Sequence, residues 1–191
     1  MRRIAACAAG LTLVAALSGC GGSSKNRAGA KPSDGASTGP PQGTLTVETL
    51  SFQPPDGMAR VENDGQDVAL TLAPGGRTQN PGEKSPPGLV VFKGGRDLGG
   101  VALRRELIKG AIQTKTPDVQ FSTKPVSIPG AADAEILDTT YPSGPGKQVD
   151  VIIGTASGPQ YDIRYWADQS RFDSAGAERM ISSIRIAGGG E

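Results

Sequence analysis

Cys20 closes the tetrapeptide Leu17-Ser18-Gly19-Cys20, which follows an apolar run from Ile4 to Leu17 and the basic start Arg2-Arg3. That order of charge, apolar core and small residues before a cysteine is the pattern of a lipobox. Its chemistry is transfer of a diacylglycerol to the Cys20 sulfur, cleavage between Gly19 and Cys20, and acylation of the freed amine by a fatty acid such as palmitate. A permanent transmembrane helix would need about 20 apolar residues, and the 14 residues from Ile4 to Leu17 are too few. An ordinary secretory leader with an incidental cysteine is the other alternative; the motif and its distance from the basic start agree better with lipidation. Two or three acyl chains give stable attachment where one gives only a marginal hold. Gly21 follows the cysteine, so no acidic retention signal stands there. The expected address is the extracytoplasmic face of the cell membrane.

The remaining candidates for chemistry are sparse. No histidine occurs in the 191 residues, which removes the commonest general base and the commonest metal ligand. Cys7 would leave with the leader and Cys20 would carry lipid, so the folded part has neither a disulfide nor a thiolate. Ser143 and Lys147 do not have the spacing of a Ser-x-x-Lys pair, and their Gly- and Pro-rich surroundings read as a loop. Gly94-Gly95-Arg96-Asp97-Leu98-Gly99-Gly100 suggests an anion loop at a helix start. It matches neither nucleotide-binding pattern, and a turn capped by Asp97 is the simpler reading. Asp133, Glu135 and Asp138 suggest a metal, but Asp133 and Glu135 alternate as a charged strand edge would. Losing Arg2 and Arg3 from 20 basic residues leaves 18 against 19 acidic ones, so no basic surplus calls for nucleic acid. No catalytic residue, cofactor or metal is expected.

The elements around these residues read as one domain behind a leader. Residues 1–19 are the signal peptide. Residues 20–43 hold the lipidated cysteine and a Gly/Ser/Pro/Ala tether too polar to order itself, spanning roughly 25 Å as a coil. The folded domain covers 44–187 and a short tail 188–191. Leu45, Val47, Leu50 and Phe52 predict a first strand or bent pair, and Pro54-Pro55-Asp56-Gly57 a turn. Strands follow at Met58–Val61, across Val68, Leu70 and Leu72, and at Leu89–Phe92. Residues 74–88 form a long loop, either disordered or functional.

A helix capped by Asp97 is expected to bury Leu98, Val101, Ala102, Ile108 and Ile112, with Leu103 and Leu107 widening that face and Arg104, Glu106 and Lys109 toward solvent. Strands are then predicted at Val119/Phe121, Val126/Ile128, Ala134–Leu137, Val149–Ile153 and Tyr161–Trp166, as an antiparallel meander. A last helix runs from about Ser170 to Ser183, with Ser170 and Asp173 at its start and Phe172, Gly176, Met180 and Ile184 inward. Tyr161, Ile163 and Tyr165 share one face of their strand; Asp162, Arg164 and Trp166 share the other. Packing of Trp166 under the final helix is the ordinary expectation. The alternative is that Arg164 and Trp166 form a partner-binding patch, because Arg and Trp concentrate at interface centres. The order of elements gives an α+β class with helices over an antiparallel sheet.

Ser51-Phe52-Gln53-Pro54-Pro55-Asp56-Gly57-Met58, the closing Tyr161-Asp162-Ile163-Arg164-Tyr165, Phe172 and Met180-Ile181-Ser182-Ser183-Ile184-Arg185 resemble the LpqN-type lipoproteins of actinobacteria and the wider PsbP-like fold. Met58 stands where related sequences often place tryptophan. The resemblance implies an α-β-α sandwich used for protein binding and assembly, and carries over no functional residue. The expected function is a membrane-anchored, non-enzymatic module of the cell envelope that binds an exported or envelope protein. A carrier of lipid or another apolar small molecule is the alternative, and an envelope hydrolase stands behind it.

Overall fold

The computed structural model describes residues 43–62, 65, 67–76, 87–95, 99–144 and 146–188. Cys20 with Gly19, the tether up to residue 42, most of the 74–88 loop, Asp97 and the last three residues lie outside that set.

Two strands open the domain, β1 (Leu45–Val47) and β2 (Leu50–Phe52), paired as a hairpin. β10 (Arg185–Ile186) adds to β2 and completes a three-stranded sheet. The larger sheet has seven antiparallel strands: β3 (Met58–Val61), β4 (Val68–Pro74), β5 (Gly88–Gly94), β6 (Gln120–Pro125), β7 (Asp133–Tyr141), β8 (Gly146–Gly154) and β9 (Gln160–Asp168). Their spatial order is β3-β4-β5-β9-β8-β7-β6. The chain is therefore not a simple meander. After β5, helix α1 (Gly100–Lys115) carries it to the far edge, and three hairpins bring it back until β9 pairs with β5. Helix α2 (Ser174–Ser183) follows.

β8 and β9 are buried along most of their length, as strands must be when both sheet faces are covered. One face, with Leu70, Leu89, Val151, Ile163, Tyr161 and Tyr165, packs on Leu50 and Phe52 of the small sheet and on Ala177 and Met180 of α2. On the other, Leu137 and Ile152 pack on Val101 and Ile108 of α1. The fold is mixed α+β, and the layer opposite α1 combines a helix with a small sheet instead of consisting of helix alone.

Several local expectations are corrected. α1 begins at Gly100, and Gly99, in left-handed conformation (φ 79°), stands at the cap without a side-chain hydrogen bond; Asp97 is not the N-cap. Leu103 and Leu107 are 48% and 52% exposed, Ala102 is exposed, and Arg104 is half-buried. The inward stripe of α1 holds Val101, Arg104, Arg105, Ile108 and Ile112, at the helical spacing of three and four. The arginines turn inward because the sheet beneath carries carboxylates: Arg104 Nη2 donates to Asp162 Oδ2 at 3.2 Å and Arg105 Nη1 to Glu135 Oε2 at 2.6 Å. No strand forms at Val126 and Ile128. That stretch lies between Pro125 and Pro129, and buried Ile128 starts a turn in which Ala131 N donates to Ile128 O at 3.0 Å. Gly130 holds φ 82°, the third-residue conformation of a type II turn behind Pro129. α2 starts four residues later than expected, at Ser174, because Asp173 caps it by accepting from Gly176 N at 2.8 Å; Ser170 precedes the cap.

Candidate functional site

Gln148, Asp150 and Ile152 of β8, and Asp162, Arg164 and Trp166 of β9, are direct cross-strand neighbours in the register Gln148↔Trp166, Asp150↔Arg164 and Ile152↔Asp162. Alternation along a strand sends all six toward α1. Asp150 is fully buried, and its carboxylate accepts from Arg164 Nε at 2.6 Å and from Gln148 Nε2 at 2.7 Å. Tyr141 Oη in turn donates to Gln148 Oε1 at 3.1 Å. Asp162, 2% exposed, meets Arg104 and, at 3.6 Å, Arg164 Nη2, both through Oδ2. Its Oδ1 is buried without a hydrogen-bond partner. Both guanidiniums approach the Phe92 ring, Arg164 at 5.1 Å and Arg104 at 5.9 Å from its centroid, within cation–π range.

Burial and the neighbouring Asp150 push the Asp162 carboxyl up to about 7 against the pull of Arg164 and Arg104. Burial works against the Arg164 cation, but Asp150 and Asp162 overcome it and its pKa is raised. Tyr141 is raised as well, by burial first and by Asp150 second.

Three clefts adjoin this cluster. One, of about 300 Å³, is bounded by Asp67, Phe92, Arg104, Gln160 and Asp162. A second, of about 510 Å³, runs beside α1 between Phe92, Arg104, Leu107, Lys115, Tyr141 and Arg164. The third, of about 470 Å³, is walled by Tyr141, Ser143, Gln148 and Trp166. The first two share Phe92 and Arg104, and the last two share Thr116 and Tyr141, so the three adjoin one another and together groove the α1 face of the sheet.

Trp166 does not pack under the final helix. It lies on the α1 face, half-buried, and belongs to neither hydrophobic cluster. Gly88, its neighbour on β5, makes room for the indole: a Cβ there would sit 2.7 Å from Cη2, well inside van der Waals contact. Arg164 is on the same face, committed to Asp150 and Asp162.

The other candidates disperse. Ser143 donates to Asp118, while the Lys147 ammonium lies 4.9 Å from the Phe172 ring centroid. Glu135 is not a free outer edge, since Arg105 holds it against α1. Asp138 faces Lys124 at 3.7 Å and Asp133 is exposed. Among the described residues no group of three potential ligands comes together for a metal ion. Of the glycine-rich segment, 96–98 fall outside the described residues. Sequence reading missed Arg104, although its place three residues after Val101 and four before Ile108 sets it on the inward stripe.

No family model matches the chain, and no curated protein does. Among solved structures it is similar to LpqN, described as involved in cell envelope biogenesis of Mycobacterium tuberculosis, with 16% identity and a TM-score of 0.48 over 72% of this chain and 82% of that one. A protein of Bacteroides thetaiotaomicron VPI-5482 is similar at 17% identity and a TM-score of 0.45, over 78% of this chain and 50% of that one. Neither described helix is long and apolar enough to cross a membrane.

Proposed function

We propose that this chain is a lipoprotein of the cell envelope, anchored through acylated Cys20, whose domain is a non-enzymatic module that binds an exported or envelope protein along the groove beside α1. The observation that carries the reading is Trp166, the sole tryptophan, held outside both cores on a groove wall with Tyr141 and next to Arg164. Trp, Tyr and Arg in a concave, partly desolvated setting are the side chains from which binding hot spots are built. A non-enzymatic role is supported by how the polar groups are used: Arg164 and Arg104 hold Asp150 and Asp162, and Ser143 and Lys147 go to separate partners. An internal carrier would need an enclosed cavity, whereas these clefts open along the sheet face.

The anchor is tested by metabolic labelling with radioactive palmitate. The wild-type chain is expected to take up label and to sediment with membranes, and Cys20→Ser to lose both. Label retained by Cys20→Ser, or an uncleaved wild-type chain in the cytosolic fraction, would overturn the lipoprotein reading.

A further inference from the structure

The 510 Å³ cleft beside α1 falls within the range of about 300–1,000 Å³ typical of small-molecule sites, and its lining is sorted by chemistry. Phe92, Leu107, Ile108, Ala111 and Ile112 give it an apolar wall; Arg104, Arg164 and Lys115 give it three cations. None of its lining residues is acidic, because Asp162 opens on the neighbouring cleft and Asp150 is buried behind Arg164. Each guanidinium has five donors in a fixed fork. The ion pairs of Arg164 use Nε and Nη2, and that of Arg104 uses Nη2, so among the described residues Nη1 of both has no acidic partner at a cleft they line. Leu107, half-exposed, lines the same cleft three residues after Arg104 on α1.

We propose that this cleft binds an amphipathic anion, its oxyanion head on Arg104 and Arg164 and its aliphatic or aromatic tail along Leu107, Ala111 and Ile112, farther along the same helix. The raised Asp162 carboxyl adds to the attraction: at and below neutral pH part of the population holds it uncharged, so the cluster of two arginines and two aspartates carries net positive charge. The protein-binding reading rests on Trp166, which lines the neighbouring cleft with Ser143 and Gln148, so loss of anion binding here and loss of a partner there are separate outcomes.

The probes are decanoate, decyl phosphate, decyl glucoside, decylammonium and inorganic phosphate, titrated into the full chain carrying Cys20→Ser. Binding is followed by calorimetry and by the fluorescence of Trp166, whose cleft shares Thr116 and Tyr141 with this one. Saturable binding of decanoate or decyl phosphate is expected, with the tighter of the two naming the head group. Decyl glucoside, decylammonium and inorganic phosphate should each bind at least about tenfold more weakly, as follows from losing one charge-assisted hydrogen bond or the apolar contact. Ala111 is exposed on α1, so Ala111→Glu should leave the melting temperature unchanged and weaken binding at least about tenfold, while Ala111→Lys should preserve it. Equal binding of decyl glucoside and decanoate would overturn the proposal. So would binding unaffected by Ala111→Glu, or inorganic phosphate matching decyl phosphate.

Discussion

Replacing Arg164 with methionine is expected to destabilise the domain by about 3–5 kcal/mol, the cost of removing one partner from a buried ion pair and leaving the other charge uncompensated. Asp150 has no exposed surface, and in the variant Gln148 alone would remain to bond it. Methionine keeps most of the aliphatic volume, so the loss reports charge, not a cavity. The double variant Arg164→Met/Asp150→Asn removes both charges and should recover most of the stability, because a buried pair contributes little over neutral groups of similar shape. The penalty also has a pH signature. Asp162 is raised from 3.8 to about 7 in the folded domain, so the folded state holds more protons than the unfolded one across that window, and this group's contribution is fully present below pH 3.8 and lost as pH rises through 7. Removing Arg164 takes away a charge that stabilises ionised Asp162, so the variant's deficit should be larger at pH 8 than at pH 4. Denaturant melts of the three proteins at both values check this; a single variant as stable as wild type at pH 8 would contradict the buried-pair account.

Gly130→Ala is expected to cost about 2–4 kcal/mol, through two effects that act at one atom. Gly130 has φ 82°, where a Cβ is strained whatever the space. That Cβ would also fall inside the van der Waals envelope of the Ile186 carbonyl oxygen. The neighbour is backbone and cannot swing aside. Ile186 N donates to Pro129 O at 2.9 Å, so the turn is also what joins the β6–β7 connection to β10 and, through β2, to the small sheet. Gly57→Ala separates the two effects, since Gly57 has φ 76° and open space around its Cβ position, and it should cost about 1–2 kcal/mol from backbone conformation alone. Thermal melts that place the two variants together would show that the contact with Ile186 relaxes and carries no penalty.

The part of the fold written in local pattern is legible in the chain. Leu45 to Phe52 read as a strand or a bent pair, Tyr161, Ile163 and Tyr165 as sharing one face, and Pro129-Gly130 as a turn, because period-two alternation and the conformations of Pro and Gly depend only on near neighbours. What depends on distant pairing is not legible. Nothing around Leu89 says that β5 lies beside β9, some seventy residues on, and so the sheet order escaped a hairpin-by-hairpin reading. The misphasing of α1 has the same origin. Leu103 and Leu107 are more apolar than Arg104 and Arg105, and hydrophobicity alone turns them inward. The acids that reverse the preference, Asp162 and Glu135, sit on strands that follow the helix in sequence. The groove was half legible: alternation sent Arg164 and Trp166 to one face, whereas the face itself was fixed by α2 taking the other side. Asp150 opposite Arg164 was a readable signal once β8 and β9 were paired, as opposite charges directly across a ladder stabilise one another.

The most direct test of a partner-binding groove is photocrosslinking in intact cells from a benzophenone amino acid placed at position 166, compared with the same group at position 182, which is exposed on α2 and on the opposite side of the seven-stranded sheet. The predicted result is a discrete crosslinked envelope protein from position 166 that is missing from position 182. The same products from both positions, or a specific product from position 182 alone, would contradict the assignment of binding to the α1 face.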